Sequence, residues 1–140
     1  MANEKAHKLI KKGAEVLHFV ITTETIDIVK LLNNIDLKRT GVSLDMQFLS
    51  KNYIEKIITL VPNSKKVYFQ VDPIGHLARS GNWYDSFTSD FVVFNELIEL
   101  NIENIVSVDL ALYENAGADI AQQLAYALSH ANEYVNLLHD

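Results

Sequence analysis

Four short runs of branched and aromatic residues alternate with segments of helical spacing, and this alternation constrains the fold more than any other feature. Residues 3–12 read as a short helix that Lys11, Lys12 and Gly13 would stop, because cations and a glycine suit a helix C-terminus. Glu15 to Ile21 reads as a strand. Thr22, Thr23 and Glu24 supply caps for a following helix that carries Ile28, Leu31, Leu32 and Ile35 on one face. Gly41 opens a second strand, 41–48. Ser50 caps a helix bearing Ile54, Ile57, Ile58 and Val61, which Pro62 closes. Lys66 to Asp72 is a third strand, and Pro73 to Asp85 reads as a long loop. A helix over Ser86–Leu100 aligns Phe87, Phe91, Phe94 and Ile98. A fourth strand is expected over Asn104–Leu110, and a last helix over 116–138 carries Ile120, Leu124, Leu128, Ala131, Val135 and Leu138 as its core stripe.

Strands separated by helices of this length imply a parallel sheet with right-handed crossovers. An open doubly wound sheet and part of a (β/α)₈ barrel both satisfy that pattern. Three of the strands alternate strictly. Val42, Leu44, Met46 and Phe48 are interleaved with Ser43, Asp45 and Gln47. Val67, Phe69 and Val71 are interleaved with Tyr68, Gln70 and Asp72, and Val106, Val108 and Leu110 with Ser107 and Asp109. Doubly wound strands are covered on both faces and read as continuous apolar runs. A polar face suits a barrel with a wet lumen, or else a two-layer sheet with one solvated face. A closed barrel needs eight strands, so a fold class of α/β with four βα units makes this chain half a barrel.

At 140 residues the chain is one domain's worth. It has no cysteine, which excludes disulfides, thiolate metal sites and a catalytic thiol. Its net charge of −6 and the scatter of its lysines and arginines argue against nucleic-acid binding. The charged Met1–Lys5 start has no signal-peptide run, and no apolar stretch nears the ~20 residues of a membrane span. A cytoplasmic location is expected.

Ligands of parallel α/β proteins bind at the C-terminal ends of the strands. The segment after the third strand gathers Asp72, Gly75, His76, Arg79, Gly81, Trp83 and Tyr84. Arg79 and the glycine amides could grip a phosphate; alternatively, Trp83 and Tyr84 simply pack the loop onto a neighbouring surface. Asn115 or Gly117 can start the final helix, whose amide end could meet an anion. His7, His18, His76, His130 and His139 show no metal-ligand spacing, and there is no Walker, GxGxxG or GxSxG motif.

The run Ser107-Val108-Asp109, then Leu112 to Ile120, Gln122 to Leu128 and His130 to Tyr134, resembles the methylmalonyl-CoA mutase family, and most of all its small subunit. Asp72-Pro73-Ile74-Gly75, Ser80 to Tyr84 and Gly13-Ala14-Glu15 extend the resemblance over about 13–135, its last thirty residues being the most specific. The resemblance implies a segment of a (β/α)₈ barrel whose lumen of small polar groups passes the pantetheine arm of an acyl-CoA. Ser43, Gln47, Gln70 and Ser107 suit that role. The family isomerises methylmalonyl-CoA and succinyl-CoA with adenosylcobalamin. Leu112 stands where the catalytic chain has a histidine that donates to the thioester carbonyl, and the Asp-x-His-x-x-Gly cobalamin motif is absent. The chain is therefore expected to be non-catalytic, to bind no cofactor itself, and to scaffold or contact acyl-CoA through His76, Arg79, Gln70, Ser107 and Asn115. Its expected partner is a second copy completing the barrel, or a mutase large subunit. A free-standing CoA or nucleotide binding module is the alternative.

Overall fold

The computed structural model describes residues 2–61 and 66–139, so the proposed closure of the third helix at Pro62 lies outside the described residues. In chain order the elements are α1 (Ala2–Lys11), β1 (Val16–Ile21), α2 (Ile28–Leu31), β2 (Gly41–Met46), α3 (Lys51–Leu60), β3 (Val67–Gln70), α4 (Pro73–Ser80), α5 (Phe87–Glu99), α6 (Ala111–Asn115) and α7 (Ile120–His139).

The three strands form one parallel sheet in the order β1-β2-β3, without reversal. The register places Leu17 beside Val42 and Val42 beside Val67, with Phe19, Leu44 and Phe69 forming the next row. These rows alternate with His18, Ser43 and Tyr68 and then with Val20, Asp45 and Gln70. The first set faces the helices. Leu17, Ile21, Val42, Leu44, Val67 and Phe69 are buried in one cluster with Ile28 of α2, Ile54 and Ile57 of α3, and Phe94 and Leu97 of α5. Val16, Val20 and Tyr68 on the opposite face are exposed. The described strands show no reversal of order, and the core helices pack on one face, whereas a complete doubly wound sheet is covered on both.

The expected fourth strand does not form. Its segment meets β3 through a single parallel bridge, Val71 to Val106. In a regular parallel ladder, donors two residues apart meet acceptors two residues apart. Here the amides of Phe69 and Val71 reach the carbonyls of Asn104 and Ile105, which are adjacent, so the ladder loses step. Asn104 is held at φ +62° and Leu110 is already helical, leaving little extended backbone between them.

Three helices differ from expectation. Residues 73–80 form α4 rather than a loop: Asp72 caps its start by accepting from the Gly75 amide, Pro73 opens it, and Gly81 at φ +76° ends it. Helix α2 begins later, capped by Asp27 instead of Thr22 or Thr23, because the Thr23 and Thr25 hydroxyls bond each other at 2.7 Å. The final helix, expected from 116, begins later, at Ile120. Residues 111–115 form α6, Gly117 turns the chain at φ +91°, and α7 starts behind a capping box in which Asp119 and Gln122 exchange two 2.9 Å hydrogen bonds.

The stripe expected to bury α7 is exposed, with Ile120 85 % and Leu128 62 % accessible, and Leu124, Val135 and Leu138 also open. The helix docks instead through Ala127, His130 and Tyr134, a neighbouring face rotated toward β3 and α4.

Candidate functional site

A cleft of about 160 Å³ opens at the C-terminal edge of the sheet. Asp45 and Gln47 enter it from the end of β2, and Gln70 and Asp72 from the end of β3. Ser107 and Asp109 come from the segment bridged to β3, and Arg79 reaches over from α4. The strand period of two puts these polar groups on the uncovered face, and the parallel register brings their ends together.

Asp72 anchors the site from beneath and is only 3 % exposed. Its Oδ1 accepts from the Gly75 amide at 2.8 Å and from the Tyr134 hydroxyl at 2.6 Å. Tyr134 in turn accepts from the Ile74 amide at 3.0 Å. His130 Nε2 stands 2.9 Å from the same carboxylate oxygen, at ion-pair distance but out of line for a hydrogen bond, while its Nδ1 lies 2.8 Å from the Tyr113 hydroxyl. Burial pushes the Asp72 carboxyl up. The His130 contact, the Tyr134 hydroxyl and the Gly75 amide outweigh it, holding the pKa below the ordinary carboxylate value. Burial, together with the neighbouring Asp72 charge, pushes the Tyr134 phenol well above its usual range. This network ties α7 to the C-terminal end of β3.

Arg79 lies between two acids. Its guanidinium nitrogens are 3.9 Å from Asp72 Oδ2 and 3.7 Å from Asp109 Oδ2, too long for hydrogen bonds, and its side chain is 41 % exposed. Asp72 Oδ2 has no hydrogen-bond partner among the described residues.

Of the five residues expected to contact substrate, Gln70, Arg79 and Ser107 line this one cleft. His76 sits one helical turn before Arg79 and stacks on Tyr84, ring centroids 3.8 Å apart. Burial and the nearby Arg79 charge lower its pKa. Partial burial pushes the Tyr84 phenol up to about 12, and it donates to the Met46 carbonyl at 3.2 Å. Asn115 ends α6, exposed and outside the cleft; it starts no helix, and Gly117 is a turn. The glycine amides expected to grip a phosphate are occupied, Gly75 by Asp72 and Gly81 by the Leu77 carbonyl. The packing alternative describes the rest of the segment. Trp83 meets the rings of Phe87 and Phe91, and the buried Asp90 carboxylate accepts from the Tyr84 and Asp85 amides at 2.8 and 3.1 Å.

Asp45, Asp72 and Asp109 as a set, and His130, Tyr134 and Tyr113, belong to this site without being among the residues expected there. The first three were visible as acids on the polar face of successive strands. His130 and Tyr134 were not, because they reach the site from α7, whose docking face the apolar stripe misassigns, and Tyr113 joins them from the short α6 through its contact with His130.

Among the described residues no helix is long and apolar enough to cross a membrane, and no three His, Asp or Glu residues are grouped to hold a metal ion. No family model, curated protein or solved structure matches the chain.

Proposed function

We propose that this chain is a non-catalytic half of a (β/α)₈-type barrel, resembling the small subunit of methylmalonyl-CoA mutase, that scaffolds a larger assembly and contacts acyl-CoA. The observation that carries the reading is a parallel sheet whose strands run in chain order, with its helices on one side and an uncovered face that is polar along β2 and β3. Such a sheet, continued by four more βα units, closes with that face as its lumen. The bridged segment 104–106 is the incipient fourth strand, and pairing along its free edge would complete it.

Acyl-CoA contact in this reading runs through the uncharged pantetheine arm, whose amides match Ser43, Gln70 and Ser107. The phosphates do not suit the cleft, where three carboxylates stand against one guanidinium that already lies between two of them. The alternative, a free-standing CoA or nucleotide module, is less well served for the same reason. Leu112 offers no hydrogen bond to a thioester. Nor do the two histidines nearest the cleft suit the lower ligand of adenosylcobalamin: His130 is buried against Asp72 and Tyr113, and His76 is stacked on Tyr84. We assign that cofactor to another part of such an enzyme.

Light scattering across a range of concentrations, with acyl-CoA titrated in parallel, tests the proposal. The expected result is a two-chain particle that binds acyl-CoA saturably. A monomer at every concentration with no affinity for acyl-CoA would overturn it.

A further inference from the structure

The cleft has a property that the barrel reading does not use. Its lining carries three carboxylates and one guanidinium, so it attracts positive charge. Asp72, almost wholly buried, leaves Oδ2 without a hydrogen-bond donor among the described residues. Such a deficit is costly in a low-dielectric setting unless a donor is supplied. The protein's own Arg79 shows what occupies the space between Asp72 and Asp109: a planar organic cation, set 3.9 and 3.7 Å away. Those distances give attraction without hydrogen bonds, and the half-exposed arginine is free to swing outward.

We propose that this cleft is a binding site for a small organic cation, an alkylammonium or guanidinium group, which displaces Arg79 and donates to Asp72 and Asp109. The volume of about 160 Å³ is comparable to a cavity of ~150 Å³ that accommodates a benzene-sized molecule, enough for a head group and a few carbons. A bare metal ion is a poorer occupant, since no three acids or histidines converge closely enough to ligate one among the described residues. Gln70 and Ser107 add neutral acceptors beside the carboxylates, and Gln47 orients Asp45 through a 2.7 Å hydrogen bond.

Arg79 is thus a competitor of the ligand, which reverses the usual expectation for an arginine in a cleft. The test is calorimetric titration of the full chain at low salt with 1,4-diaminobutane, with neutral 1,4-butanediol and with inorganic pyrophosphate. The diamine should bind saturably and the other two should not, and added salt should weaken it. Arg79→Ala should tighten diamine binding roughly two- to fivefold, and Asp109→Asn should weaken it by a similar factor, both at exposed positions that leave the Asp72 cap intact. Four results would each overturn the site: no diamine heat, equal binding of the diol, pyrophosphate binding abolished by Arg79→Ala, or diamine binding indifferent to Asp109→Asn.

Discussion

At Gly75 the carboxylate of the helix's own cap occupies the space that a side chain would need: a Cβ there would lie 1.9 Å from Asp72 Oδ2. The Gly75→Ala variant must therefore push Asp72 off the Gly75 amide and the Tyr134 hydroxyl. It should lose about 1–3 kcal/mol of stability in urea unfolding, the usual cost of overpacking; an unchanged midpoint would show that the cap can relocate. Asp72 also makes a pH prediction. Its folded pKa is lowered, so its stabilising contribution is complete above the unfolded carboxylate value of ~3.9 and disappears as pH falls through the lower folded value. Unfolding midpoints followed down through this acid window should drop in the wild type and drop less steeply in Asp72→Asn. Parallel curves would show that the carboxylate is not the group responsible. Both effects belong to single residues, and the Asp72–Pro73 start of α4 was legible in the chain as an N-cap followed by proline. The same stretch is equally compatible with a loop, because two glycines, His76, Arg79 and the aromatics also suit a ligand-binding turn.

Helix α7 poses the opposite problem. The spacing of Ile120, Leu124, Leu128, Val135 and Leu138 satisfies every rule for a core-facing stripe, yet these side chains are exposed and Ala127, His130 and Tyr134 are buried. Three polar contacts decide the rotation: Tyr134 and His130 on Asp72, and Tyr113 on His130. Leu128→Lys should consequently change stability by no more than about 0.5 kcal/mol, as at any exposed position. Phe94→Ala, which empties a fully buried site stacked on Tyr134, should cost about 3–5 kcal/mol. Denaturant titration of the two variants checks this, and a Leu128→Lys loss of the same size would return the stripe to the core. If the chain is part of a larger barrel, the exposed stripe is the surface that its next βα unit would cover, so Leu128→Lys should also shift any dimer seen by light scattering toward monomer.

For the molecule as a whole, parallel strands and the division of β2 and β3 into an apolar side and a polar row were readable from the periodicities of Gly41–Met46 and Val67–Gln70. Period two divides apolar from polar side chains before any tertiary contact exists, and helix spacing between strands dictates parallel crossovers. The amino-acid sequence on its own therefore determined the α/β class, the facing of β2 and β3 and the placing of Gln70, Arg79 and Ser107 near the strand ends. Only the tertiary structure decided that the fourth segment stops at one bridge, because whether a strand forms depends on a register and a partner edge that no local pattern encodes. It also decided that Arg79 stands between Asp72 and Asp109, and that His130 and Tyr134 arrive from some sixty residues away. Charge pairing and helix rotation are long-range properties. They emerge when separate elements meet, and the residues that meet carry no local sign of it.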